Sequence, residues 1–390
     1  MKPGTSARRQ PLLICIKTMT RVGWSMMTYN RLRLSATVLG VVFATVLANQ
    51  CLSLLLGILN RNAALVRNTH ADLGIVPAGT EQLSAGKTVP MAAIYGARMT
   101  RGVAVAAPLI MAGGSIKLPN GGAEPLSLIG TAHPRYLGGP WNLVAGSMEL
   151  MQQGGHIIVE DSERSTLGGL NLGSRREING QLTTVAGFTW GVTTVAAAYG
   201  FVEFDYAREL ARVPNDQATF GLVQLDPGSD AALIQRSLEA AFPEVSVYTR
   251  QQLDSLITRT FLTKTPIGFT FTAMAAFGIV IGFIIVSLMI FSAVTESLRE
   301  FGTLKAMGAR TLDLTIIMLA QAAAYGLTGA VLGLGAVCAV AQGIATPKVA
   351  MFVEWWMIAV TLVVMPLMCA AASVISLVKL WRVEPGMVFR

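Results

Sequence analysis

Few residue patterns in this 390-residue chain could do chemistry. Gly86-Lys87-Thr88 has the ending of a phosphate-binding loop, in which backbone N–H groups and a lysine cradle a nucleotide's phosphates. Such a loop needs a glycine five positions before its second one. Glu81 stands there and Gly79 is too far back, so no ATP site is expected in this chain. His70, His133 and His156 are the only histidines. His70-x-Asp72, and His156 near Glu160-Asp161, carry metal-ligating types, but no cysteine and no second histidine at helical spacing supports them. They read as surface or hydrogen-bonded histidines, and no metal site is expected. No Gly-x-Ser-x-Gly elbow is present, so no catalytic residue is assigned and the chain does not read as an enzyme.

The remaining pattern suits mechanical work. Thr295–Arg310 can form a short helix with Leu298, Phe301 and Leu304 (or Lys305) on one face. Gly308 is placed to end it, and Thr311 and Asp313 are placed to cap the next helix. An amphipathic helix of this kind fits docking into a partner's groove. A plain connecting turn fits the residues equally well.

The elements around that segment are membrane spans. The chain is 53% hydrophobic and only 13% charged, against about 25% charged in ordinary soluble domains. Its charges leave four gaps, 34–60, 265–295, 314–347 and 355–378, of 27, 31, 34 and 24 residues. About 20 apolar residues cross a bilayer, so each gap is long enough. Buried helices of a soluble protein usually keep a polar face, whereas runs such as 269–292 and 314–341 are apolar or small all round. The first gap is also too long for the apolar core of a signal peptide, about 7–15 residues, and reads as a retained anchor.

Lys2, Arg8, Arg9, Lys17, Arg21, Arg31 and Arg33 precede the first span without one acid, which puts this arm in the cytoplasm. Four spans return the C-terminus to the same side. Segment 61–265 then lies outside, with 16 basic and 17 acidic residues. The net charge of +8 is thus a topological bias and asks for no nucleic acid. The four cysteines, Cys15, Cys51, Cys338 and Cys369, all fall in the arm or the spans and form no disulfide or zinc pattern.

The expected fold class is a membrane α-helical protein with four transmembrane helices in a one-plus-three arrangement and a large α+β extracytoplasmic domain between the first two. The divisions are a basic arm at 1–33, with an amphipathic helix over 12–33, then spans and links. These are a span at 34–60, the α+β domain at 61–265 in two lobes, and a span at 266–294. A cytoplasmic helix at 295–313, a span at 314–343, a loop at 344–354, a span at 355–378 and a tail at 379–390 complete the chain. Within the domain, Phe220–Leu225, Asp230–Ala241 and Val245–Tyr248 read as strand, helix and strand, with Leu233, Ile234, Leu238 and Phe242 on the helix's apolar side. His156–Val159 and Gln181–Phe188 read as strands around a Gly/Asn-rich stretch, 168–180, while 100–150 shows no clear period. A helix near Arg250–Phe261 is expected to lead directly into the second span. In the spans, Gly40, Ala44 and Ala48, Gly278 and Gly282, and Gly329 and Gly333 repeat at four-residue spacing. Small residues let helices approach closely, within one chain or across a dimer. The spans hold no acidic or basic residue, which speaks against an ion-coupled pump.

Residues 299–309, Arg-Glu-Phe-Gly-Thr-Leu-Lys-Ala-Met-Gly-Ala, resemble the coupling signature of the FtsX/MacB-type ABC transporter permeases. The Gly-rich stretch 326–335 and the ending Trp381-Arg382-Val383-Glu384-Pro385-Gly386-Met387-Val388-Phe389-Arg390 are similar to that family too. Two positions depart: Ser297 stands where an arginine is common, and Phe389 replaces a leucine. The Phe-Gly-Thr-Leu-Lys variant is most similar to the DevC-like exporters. The resemblance implies an inner-membrane permease working as a homodimer over separate ATPase subunits that hold the ATP and Mg. It also implies a membrane-fusion adaptor and an outer-membrane duct as partners, and export of a lipid or another hydrophobic or envelope molecule by mechanotransmission. Under it, Glu296, Arg299, Glu300 and Lys305 make polar contacts with the ATPase, Phe301, Leu304 and Met307 fill its groove, and Gly308 closes the helix. A non-transporting ABC-type regulator of an envelope enzyme would share this architecture, and a four-span scaffold or sensor would lack the ATPase.

Overall fold

The structure is a computed structural model that describes residues 23–80, 87–193, 197–343 and 351–381. The arm before residue 23, the segment 81–86 with Gly86, most of the loop after the third span and the 382–390 ending lie outside the described residues. The chain forms two compact units, one built from the spans and one from Leu56–Thr270.

Helix α1 occupies residues 23–29; of the amphipathic helix expected over 12–33, residues 23–33 are described. Asn30 interrupts it and its Oδ1 accepts the Arg33 N–H at 3.1 Å, which caps α2, Arg31–Asn62. Arg33 therefore belongs to the first turn of a spanning helix rather than to a free arm. It is also buried, at 8% exposure, just ahead of the charge-free stretch 34–60.

The domain begins with α3 (Ala64–Arg67), β1 (Leu73–Pro77), β2 (Val89–Pro90) and α4 (Met91–Met99). It continues with β3 (Val103–Lys117), β4 (Ala123–Thr131), β5 (Leu143–Gly146), α5 (Met148–Met151) and β6 (His156–Glu160). Next come β7 (Arg175–Ile178), β8 (Gln181–Thr189), β9 (Ala198–Glu203), α6 (Phe204–Ala211), β10 (Gln217–Ala218) and β11 (Phe220–Leu225). Helix α7 (Ala231–Ala241), β12 (Val245–Thr249) and α8 (Arg250–Lys264) complete it. One sheet runs β12-β1-β11-β3-β4-β9-β6-β8-β5, with β7 beside β3 and β8. The path is unbroken from β12 to β5.

Both faces of this sheet are buried, because alternate residues along each strand point to opposite sides. Leu73, Ile110, Leu128 and Val185 face a core shared with Ile94 of α4, Leu210 of α6 and Ile234 of α7. Val76, Leu109, Ile129 and Phe201 face a second core with Leu65 and Val66 of α3 and Leu253 and Ile257 of α8. Burial on both sides explains why 100–150 shows no period: Ala106–Ile110 is continuously buried, so β3 has no polar face to alternate with. Pro108 fits because the β4 ladder begins only at Leu109, leaving a neighbour, β11, on one side.

The Gly/Asn-rich stretch contains β7 and a two-residue hairpin. Asn179 (φ 48°) and Gly180 (φ 87°) link Ile178 to Gln181, the turn type that Asn-Gly favours. The strand–helix–strand at 220–249 is split, since β1 lies between β11 and β12 and is antiparallel to both. In α7, Ile234 and Leu238 are buried, but Leu233, one residue round the helix, faces outward.

The spans resume after α8 and one intervening residue with α9 (Pro266–Glu296), then α10 (Leu298–Ala306), α11 (Thr311–Gly343) and α12 (Trp355–Trp381). Among the described residues, α2, α9, α11 and α12 are the helices long and apolar enough to cross a membrane. Together with the α+β domain between α2 and α9 they give a four-span membrane protein in a one-plus-three arrangement.

Inside the domain, Glu160 is fully buried and its carboxylate accepts four hydrogen bonds. Donors are Ser162 Oγ (3.1 Å), Thr189 Oγ1 (3.0 Å), Gly191 N (2.8 Å) and Val192 N (2.9 Å). Glu160→Ala leaves those donors unpaired, Thr189 and Val192 among them buried, and is expected to cost about 2–4 kcal/mol. Denaturant unfolding of the full chain in detergent checks this, with exposed Glu244→Ala changing stability by less than about 0.5 kcal/mol.

Candidate coupling site

The site begins where α9 stops. Ser297 leaves helical geometry slightly (φ −86°, ψ 2°) and its Oγ donates to the Ala293 carbonyl at 2.8 Å. Helix α10 then runs nine residues and ends in a Schellman closure. The Gly308 N–H donates to Lys305 O at 3.1 Å and the Ala309 N–H to Leu304 O at 3.0 Å. Gly308 adopts φ +97°, a conformation that a side chain resists, which is the physical need for glycine there. Two residues later the Asp313 carboxylate accepts the Arg310 N–H at 2.9 Å and starts α11. Thr311 is the first residue of α11 rather than its cap. The link is therefore a helix fastened at both ends, not a loose turn.

Its two sides differ sharply. Phe301 is 1% exposed and joins a core with Met27, Ile290, Val294, Leu314 and Met318. Gly302 is also buried, Leu304 is half-buried against the same core, and Lys305 is half-buried. Outward lie Glu296, Arg299, Thr303, Ala306, Met307 (75% exposed) and Gly308. Phe301, expected to fill a partner's groove, places its ring in the chain's own core, while Met307 is exposed. Glu300 is turned sideways: its Oε1 lies 3.6 Å from Arg33 Nη1.

That arginine has no role that its place in the sequence suggests. Arg33 Nη2 donates to Met26 O at 3.3 Å, and Gln321 Nε2 of α11 donates to Gly23 O at 3.0 Å. With Met27 in the core, α1 is held against the bundle by three points, and Trp24 and Tyr29 face outward.

The small residues all act within the chain. A Cβ on Gly40 would lie 2.5 Å from Met289 Cγ, and one on Gly278 3.0 Å from Cys51 Sγ. On Gly282 it would lie 3.4 Å from the Ala44 carbonyl; Ala44 itself is buried. On Gly329 it would lie 2.4 Å from Val41 Cγ1, and on Gly333 2.7 Å from Thr45 Cβ. So α9 and α11 both close on α2. Gly326 meets Pro366 of α12 in the same way, 2.6 Å from its Cα. A polar stripe on α2 also escapes the sequence reading: Thr37, Thr45, Asn49 and Ser53 are buried at multiples of four residues. Thr361 Oγ1 donates to Asn49 Oδ1 at 2.9 Å, tying α2 to the last span, and Ser53 Oγ donates to Phe352 O, just ahead of that span, at 3.0 Å.

His70, His133 and His156 are not brought together, and His156 Nδ1 lies 2.7 Å from the Gly154 carbonyl. Among the described residues there is no group of three or more His, Cys, Asp or Glu able to hold a metal.

The four spans thus carry a short helix, α10, between the second and third of them. Residues 272–385, which include that helix, most of α9 and all of α11 and α12, match the C-terminal model of the FtsX-like permease family. No curated protein matches the chain in sequence. Among solved structures it is similar to the periplasmic region of MacB from Actinobacillus actinomycetemcomitans. That match has 10% identity and a TM-score of 0.38, covering 48% of this chain and 92% of that one. It is also similar to the extracellular domain of the ABC-type transporter YknZ from Gram-positive bacteria. There the identity is 16% and the TM-score 0.35, covering 46% of this chain and 98% of that one.

Gly329→Val is expected to push α11 off α2 and lower thermal stability of the bundle, because close packing is what holds helices together in lipid. Gly335→Ala, whose Cβ would meet nothing within 4 Å, is expected to leave it unchanged. A detergent thermal-shift assay separates the two. In the same assay Phe301→Ala is expected to cost about 3–5 kcal/mol.

Proposed function

We propose that this chain is the permease subunit of an ABC transporter complex, driven by a separate ATPase subunit that binds ATP and Mg. The observation that carries the reading is the outward face of α10. Arg299, Thr303 and Met307 sit four residues apart on a helix closed at both ends, so they form one presented line. An exposed methionine beside an arginine is a composition enriched in protein interfaces and unusual for a solvated turn. The family match of residues 272–385 supports the same reading.

In this reading the ATPase grips Arg299, Thr303 and Met307, with Glu296 and Lys305 at the rim. Displacement of α10 then passes into α9 and α11, to which it is joined by one residue and by a short capped turn. The 61–265 domain, inserted between α2 and α9, receives that motion and moves cargo outward, a lipid or another hydrophobic or envelope molecule. The chain lies in the inner membrane with both termini cytoplasmic, pairs with a second permease copy, and hands cargo to an adaptor and an outer-membrane duct. The basic residues ahead of α2 support the orientation.

Arg299→Glu with Met307→Asp is expected to weaken ATPase association at least about tenfold, the loss typical of truncating an interface anchor. The thermal midpoint of the permease should not move, since both residues are exposed. Co-purification from membranes, followed by titration of reconstituted permease against ATP hydrolysis, measures this. Unchanged association would sink the reading and favour a scaffold without an ATPase.

A further inference from the structure

The resemblance assigns Glu300 to the ATPase contact, yet this side chain, 39% exposed, turns its carboxylate toward the chain's own Arg33. Arg33 is almost wholly enclosed and reaches Glu300 Oε1 at 3.6 Å, while the second carboxylate oxygen, Oε2, is shut off from solvent. The Arg33 guanidinium divides itself: Nη2 donates to the Met26 carbonyl of α1, Nη1 faces Glu300 of α10, and Nε has no partner among the described residues. Arg33 itself stands on α2. One side chain therefore joins three elements. An enclosed cation needs a counter-charge, and removing one partner of such a pair costs far more than the pair contributes. A carboxylate already committed to that task, with one oxygen enclosed, is poorly placed to dock on another subunit.

We propose that Arg33 and Glu300 form an internal strut that positions α10, so that Glu300 is a positioning residue and not an ATPase contact. The inference rests on the permease reading above. The strut ties the coupling helix sideways to α2 and α1, in addition to its chain connections to α9 and α11. A push received on Arg299, Thr303 and Met307 is then passed to the first span directly. The 3.6 Å separation and the two unpartnered atoms, Arg33 Nε and Glu300 Oε2, leave the pair short of ideal geometry. It is strong enough to register the helix and open to rearrangement when the helix moves.

The experiment uses the full chain reconstituted with its ATPase, and compares Arg33→Gln, Glu300→Gln, the double neutral variant and the swap Arg33→Glu with Glu300→Arg. Each single change is expected to lower the thermal midpoint and the maximal stimulation of ATP hydrolysis, while the permease concentration giving half-maximal stimulation stays the same. The swap, or the double neutral variant should the swap not fold, is expected to recover at least about half of both losses, as directly interacting residues do. Arg299→Glu with Met307→Asp runs alongside and should raise the half-maximal concentration instead. Singles that raise the half-maximal concentration at an unchanged midpoint, with no recovery in either double variant, would make Glu300 a direct contact and overturn the strut. If only the Arg299/Met307 variant fails to change that concentration, the permease reading itself is struck. The strut then stands or falls on thermal recovery in the double variants.

Discussion

Everything in the bundle depends on how closely helices approach α2. Hydrocarbon lipid gives apolar side chains no reason to cluster, so association must come from van der Waals contact and interhelical hydrogen bonds. Val41 and Thr45 fill the space left by Gly329 and Gly333, and Cys51 and Ala44 lie against Gly278 and Gly282. These contacts put two helices on neighbouring faces of one span. Asn49 and Ser53 of the buried stripe then add directional bonds, to Thr361 of the last span and to Phe352 just ahead of it, which apolar packing alone cannot provide. With α2 so enclosed, a shift of either neighbour must be shared by α2 or open a gap in the packing. Packed interiors resist such gaps, which makes a bundle of this kind suited to passing on movement.

The same logic applies at α10. A loose turn between two spans would absorb a push by changing its own dihedrals. Here the Schellman closure at Gly308, the Asp313–Arg310 bond and the anchored Phe301 ring remove that freedom. The inner side of the helix belongs to the bundle and the outer side is left for a partner. That division of faces matters more for function than the length of the segment.

Part of this architecture is legible in the sequence, and the reason is physical. Spans announce themselves because one charge in hydrocarbon is costly, so the charge gaps mark them directly. Gly308 is readable because few residues other than glycine accept its backbone conformation, and the terminating position follows from helix geometry. Strand β3 is not readable, since a strand buried on both faces has no alternation to detect. The Asn179-Gly180 hairpin does carry a signal, but it is hidden among neighbouring glycines. Phe301 misleads because an amphipathic pattern says which residues share a face, not whether that face meets the chain's own core or a partner. Arg33 gives no sign of its role because its partner lies 267 positions away by sequence number, and such pairing is set only by the packing of α1, α2 and α10.

Ser297 brings these points together. An arginine at that position would have to be accommodated in a buried place, since Ser297 is enclosed and its hydroxyl is already turned back onto the Ala293 carbonyl. A small side chain lets α9 pass into α10 with a single slightly opened residue. Glu300, one turn later, still needs a positive neighbour, and in this fold it comes from Arg33 of the first span. A cation on Ser297's own segment would travel with the coupling helix and bind it to nothing else. A cation on α2 makes the position of α10 depend on the first span, and it turns a local charge pair into a link between separate helices.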